Sequence, residues 1–105
     1  MVIIVDDADR ENEGDLALAT PAITAEALNF MNNSGRGLLC VSISADRAQK
    51  LALPLQVSDN NSLFGTPFTI SIDHRSHAAH GAAASARAYT MQRLVAADSR
   101  ADEFV

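Results

Sequence analysis

A chain of 105 residues has room for one small domain with a modest core. No apolar run reaches the roughly 18–20 residues that cross a bilayer. The opening MVIIVDD lacks the basic start of a secretory signal, so a cytoplasmic location is expected. Charge is concentrated: residues 6–15 hold six acids and one base, which accounts for the whole net charge of −5. The remainder is neutral and has no basic patch, which argues against nucleic acid or an acidic membrane surface as partner. The single cysteine, Cys40, excludes an internal disulfide.

Val2-Ile3-Ile4-Val5 is β-branched throughout and predicts a buried strand. The acidic segment DDADRENEGD, Asp6 to Asp15, follows as a loop, and Leu16 to Ala19 as a second strand. Thr24 is a suitable N-cap for a helix over Ala25 to Asn33, with Glu26 in its first turn and Leu28 and Met31 on one face. Ser34-Gly35 stops it. Leu38 to Ile43 reads as another buried strand, and Ser44 caps a short helix over Ala45 to Leu51. Residues 58–65, SDNNSLFG, form a loop of turn formers. In Thr66 to Asp73, Phe68, Ile70 and Ile72 alternate with polar residues, as in a strand. An Ala-rich helix over 82–97 carries the stripe Ala84, Ala88, Met91 and Val95. The sum is one domain, 1–105, of the α/β or α+β class: a mixed β-sheet flanked by helices.

The chemistry points to the acidic loop. Hard cations such as Mg²⁺ take oxygen ligands and often use only one or two protein carboxylates. Crowded carboxylates repel one another, which raises some pKa values and suits them to proton transfer. Arg10 in their midst can neutralise a neighbour or fork onto a phosphate. An unspecialised acidic turn would have the same composition. Two features favour function: the loop directly follows a strand, and its charge density is costly without a compensating ligand. The loop lacks the spaced acids of an EF-hand.

The segment DDADRENEGDL resembles the signature of the 3,4-dihydroxy-2-butanone 4-phosphate synthase family, riboflavin-pathway enzymes acting on ribulose 5-phosphate. The resemblance continues through SGRGLLCVSI, ADRAQKLALPLQV and NNSLFGTPFTISID, and weakly beyond residue 73. It implies a lyase that converts D-ribulose 5-phosphate to 3,4-dihydroxy-2-butanone 4-phosphate and formate with Mg²⁺, or with Mn²⁺ in its place. It implies that Glu11 binds metal and substrate, that Arg10 and Asp15 contact the sugar phosphate, and that Glu13 shuttles protons. It also implies that Cys40 faces the site, although a lone cysteine in a strand more often serves as a small hydrophobe. A homodimer is implied as well.

The sequence departs from the family in two ways. Where members carry Thr-Thr-Gly-Ile-Ser-Ala-x-Asp-Arg, this chain reads Ala79-His80-Gly81-Ala82-Ala83-Ala84-Ser85-Ala86-Arg87, without both threonines, the serine and the aspartate. Family enzymes are also about twice as long, and the Gly-His-Thr segment that supplies their second metal ligand does not occur here. The expectation is therefore half of an active site, completed by another chain or by more of the same protein. Two alternatives stand beside it: an inactive dimerising or binding module, and an altered lyase or isomerase reaction on another phosphorylated compound. His74, His77 and His80 recur every third residue, a spacing that suits neither an α-helical face nor a strand, and they are read as a drifted loop rather than a metal site.

Overall fold

The computed structural model describes residues 1–105. Strand β1 (Val2–Val5) pairs antiparallel with β2 (Gly14–Ala17), Val5 opposite Gly14 and Val2 opposite Ala17. Three helices follow: α1 (Ala25–Gly35), α2 (Ala45–Lys50) and α3 (Ala84–Val95). Single 3₁₀ segments occupy Thr20–Ala22, Arg75–His80 and Ala101–Glu103. The α+β expectation holds. The sheet is this one hairpin, and the parallel pairings of a mixed sheet do not form within the chain.

Helices α1 and α2 start where the sequence places them, because their caps are local. Thr24 accepts the Ala27 amide at 3.1 Å, and Ser44 accepts the Arg47 amide at 3.2 Å. The end of α1 differs from expectation. Ser34 and Gly35 stay helical, and the left-handed residue that terminates the helix is Arg36, at φ 56°. Helix α3 is shorter than predicted at both ends.

The strands fare differently. Val2 to Val5 form a strand but are not buried; each is 62, 68, 57 and 73 % exposed in turn. Leu38 to Ile43 form no strand, and Thr66 to Asp73 contribute only an isolated bridge from Thr69 to Leu55. A strand needs a neighbour for its backbone groups as well as suitable side chains. The chain offers these segments no second ladder.

The core is small and centred on α3. Ala88 joins Ile23 and Leu28, with Ala84, Met31 and Met91 packed around them. Leu94 joins Leu51, Leu53 and Phe104. Val95, expected in the stripe, yields the core position to Leu94. Arg47 on α2 closes the far end of α3: its guanidinium donates to the carbonyls of Leu94, at 2.8 Å, and Ala96, and to the Ser99 hydroxyl. Those carbonyls lie where a helix leaves its acceptors without partners. Arg93 forks onto Glu103 at 2.8 and 3.0 Å and also reaches Asp98 at 3.1 Å. No helix is long and apolar enough to cross a membrane.

Candidate active site

The acidic loop is the connection between β1 and β2. Its neck is closed by the Asp6 amide donating to the Glu13 carbonyl at 3.0 Å. Inside it, the Asp6 carboxylate accepts the amides of Asp7 at 2.6 Å and Glu11 at 2.9 Å, and the Arg10 Nη1 at 2.9 Å. Asn12 turns the chain at φ 53°, a conformation asparagine tolerates. The loop is thus wound around one carboxylate rather than splayed by repulsion.

That arrangement corrects one expectation. Crowding does not raise the Asp6 pKa. The Glu11 amide holds its carboxyl below the usual range, overcoming partial burial, with the Asp7 amide and Arg10 assisting.

The five residues singled out from sequence fall into two groups. Arg10 and Glu11 sit at the tip, paired at 3.2 Å, with Glu11 the more sheltered. The Arg10 guanidinium also lies 5.5 Å from the centre of the Phe64 ring, which ties the 58–65 loop to the acidic one. Glu13 and Asp15 lie instead along a groove of about 370 Å³ between β2, the end of α1 and residues 37–39. Cys40 does not line the groove but lies near enough to feel the charge of Asp15. It is exposed rather than buried in a strand. Partial burial raises its pKa, and the charge of Asp15 adds to the effect. The thiol therefore stays protonated at neutral pH and is not poised as a nucleophile.

Asp6 and Phe64 carried no functional signal in the sequence. The first was one acid among six, and the second lies more than fifty residues from its partner. The histidines also need correction. Residues 75–80 form a 3₁₀ segment, in which side chains three apart stand in line. His74 caps it by accepting the Ser76 amide, and packs against Tyr89 and Phe104. The spacing of three is structural. In the altered 79–87 stretch, the Asp73 carboxylate presses against Gly81 so closely that a Cβ there would overlap it.

The donor chemistry can be tested against a metal. No three His, Cys, Asp or Glu side chains converge on one point. A closed transition-metal site is therefore not what these residues build. Exposed carboxylates beside a sheltered one fit a hydrated hard cation that takes one or two protein oxygens.

The family model for 3,4-dihydroxy-2-butanone 4-phosphate synthase matches residues 1–105. The chain belongs to the 3,4-dihydroxy-2-butanone 4-phosphate synthase family. It is 47% identical over 105 residues to the 3,4-dihydroxy-2-butanone 4-phosphate synthase of Photobacterium phosphoreum, and spans 29% of that protein. It is 44% identical over 104 residues to that of Agrobacterium fabrum, and spans 49% of it. A solved 3,4-dihydroxy-2-butanone 4-phosphate synthase in complex with two magnesium ions superposes with a TM-score of 0.90 at 35% identity, over 99% of this chain and 49% of that one. A two-domain 3,4-dihydroxy-2-butanone 4-phosphate synthase from A. baumannii gives 0.90 at 40% identity, over 100% and 31%. The chain thus spans half or less of the synthases it matches.

Proposed function

We propose that this chain supplies the acidic-loop half of a 3,4-dihydroxy-2-butanone 4-phosphate synthase, a lyase of riboflavin biosynthesis that converts D-ribulose 5-phosphate to 3,4-dihydroxy-2-butanone 4-phosphate and formate. The observation that carries the proposal is the loop wound on Asp6, which presents Arg10 and Glu11 together at its tip in a member of this family.

Glu11 serves the metal and substrate oxygens. Its present partner is Arg10 at 3.2 Å, and giving up that contact leaves Arg10 still held by Asp6 at 2.9 Å. The Arg10 Nη2 is then free to donate to the sugar phosphate. Asp15 orients the sugar from the groove, and Glu13 beside it moves protons during enolisation. Cys40, as a thiol within reach of the Asp15 charge, offers a weak donor at the edge of the site. Mg²⁺, when bound, polarises adjacent sugar oxygens and so acidifies the neighbouring C–H, and Mn²⁺ can replace it. Glu11 would hold the ion as one protein carboxylate, leaving positions that water and substrate oxygens would fill.

The test combines the chain with a polypeptide covering the other half of the Agrobacterium fabrum relative, ribulose 5-phosphate and Mg²⁺, and measures formate. Formate is expected from the mixture and is abolished by Glu11→Gln. A mixture that forms a complex yet releases no formate overturns the reading. Formate from this chain alone would overturn the claim that it holds only half of the site.

A further inference from the structure

The 3₁₀ segment that sets the histidine spacing also gathers a line of polar contacts outside the acidic loop. Its members are Glu103, His74, Ser76 and His77, and none of them lines the groove. The Ser76 hydroxyl lies 2.8 Å from Nδ1 of His74 and 2.8 Å from Nδ1 of His77. The other nitrogen of His74, Nε2, stands 3.4 Å from a Glu103 carboxylate oxygen. That separation can close once the ring gains charge.

The proton positions follow from the partners. The Ser76 amide can only donate, and it points at His74 Nδ1 at 3.3 Å. That nitrogen therefore accepts, and the His74 proton sits on Nε2, facing Glu103. The single hydroxyl proton of Ser76 then goes to His74 Nδ1. The Ser76 oxygen in turn accepts the Nδ1 proton of His77. Glu103 is ionised, its pKa lowered to about 2 chiefly by the bond from Arg93. A carboxylate, an imidazole and a hydroxyl thus stand in line, with the imidazole in the tautomer that can take the hydroxyl proton.

Neighbouring rings fix this line. His74 makes T-shaped contacts with Tyr89 at 4.8 Å and Phe104 at 6.0 Å, and His77 lies 4.4 Å from Tyr89. The His74 side chain is 12 % exposed, whereas Ser76 is open to solvent. A sheltered base behind an accessible hydroxyl is the arrangement that makes a serine nucleophilic. The amides of Ser76 and His77 are occupied by His74 Nδ1 and the His74 carbonyl. They are not free to hold an oxyanion, so the acyl donor must arrive activated.

We infer that Ser76 is a self-acylation site, whose hydroxyl takes the acyl group of an activated ester or thioester with His74 as general base and Glu103 as its positioning partner. The bond from Oγ to the acyl carbon forms as the bond to the alkoxide or thiolate leaving group breaks. The hydroxyl proton passes to His74 Nδ1 and from there to the leaving group. The product is an acyl-serine ester. The inference does not depend on the acidic loop or on the reaction proposed for it.

p-Nitrophenyl acetate tests it, with the acetyl group located by peptide mass mapping. Ser76 should be acetylated about a hundredfold faster in the folded chain than in urea. The same loss is expected in His74→Phe, which keeps an aromatic ring but has no base. Nitrogen-15 spectra of the unmodified chain should show His74 as the Nε2–H tautomer. Glu103→Gln should leave that tautomer in place, because its amide oxygen still accepts from Nε2. It should nonetheless slow acetylation about tenfold, because it cannot balance the imidazolium charge. An unchanged rate there overturns the part given to Glu103. Acetylation of Ser76 no faster than in urea, or undiminished without His74, overturns the inference. If circular dichroism shows that His74→Phe has lost structure, the tautomer decides: a proton on His74 Nδ1 overturns the inference, because that nitrogen cannot then accept the hydroxyl proton.

Discussion

The hairpin and the α3 region meet opposite fates in one chain. Around α3, side chains satisfy nearly everything at hand: Arg47 takes carbonyls at the end of the helix, Arg93 takes Glu103, and Leu51, Leu94 and Phe104 close over one another. At the hairpin, four large apolar side chains stand in solvent. The acidic loop at its end nonetheless has a defined bonding pattern, because its bonds are internal to ten residues. Local bonding can build a loop without a core beneath it. It cannot bury a sheet.

The contrast can be broken most forcefully at Leu28, which is fully buried against Ile23 and Ala88. Leu28→Ala should cost about 3 kcal/mol of stability in urea unfolding. A loss below about 1 kcal/mol would show that the α1–α3 contact is no tighter than the hairpin. Next in size is the loop's own centre. Asp6→Ala removes the acceptor of three bonds and should weaken Mg²⁺ binding about tenfold by calorimetry, as loss of an outer partner does at metal sites. Unchanged affinity would mean that the loop holds its shape without Asp6.

Acid separates the regions more gently. The Glu103 pKa is lowered from 4.5 to about 2, chiefly by the bond from Arg93. Its contribution is whole above pH 4.5 and fades as pH falls toward about 2, since the unfolded chain takes up the proton first. Unfolding followed by near-ultraviolet dichroism at Tyr89 should show this loss, and Glu103→Gln should remove that part of the pH dependence. The smallest effect is expected at Ile4, 57 % exposed. Ile4→Ala should change stability by no more than about 0.5 kcal/mol in the chain alone. A larger cost would mean that the hairpin is already covered in solution.

The same divide explains what could be read from sequence. Helix starts were legible because Thr24 and Ser44 bond to amides three residues on. The Arg10–Glu11 pair was legible because it lies within one short motif. Strands over 38–43 and 66–73 were misjudged because alternation records a side-chain preference, whereas a ladder needs a partner. The role of Asp6 was hidden because six acids look alike until backbone amides choose among them. The Phe64 contact to Arg10 had no local trace at all.

Cys40 offers an experimental handle. It is the sole thiol, it is exposed, and it feels the charge of Asp15 beside the groove. A fluorophore attached there needs no engineered site and reports from one known position. Because the thiol pKa is raised, labelling should be slow at neutral pH and quicken toward alkaline pH. Once attached, its emission should follow whatever enters the groove or closes over the neighbouring strand.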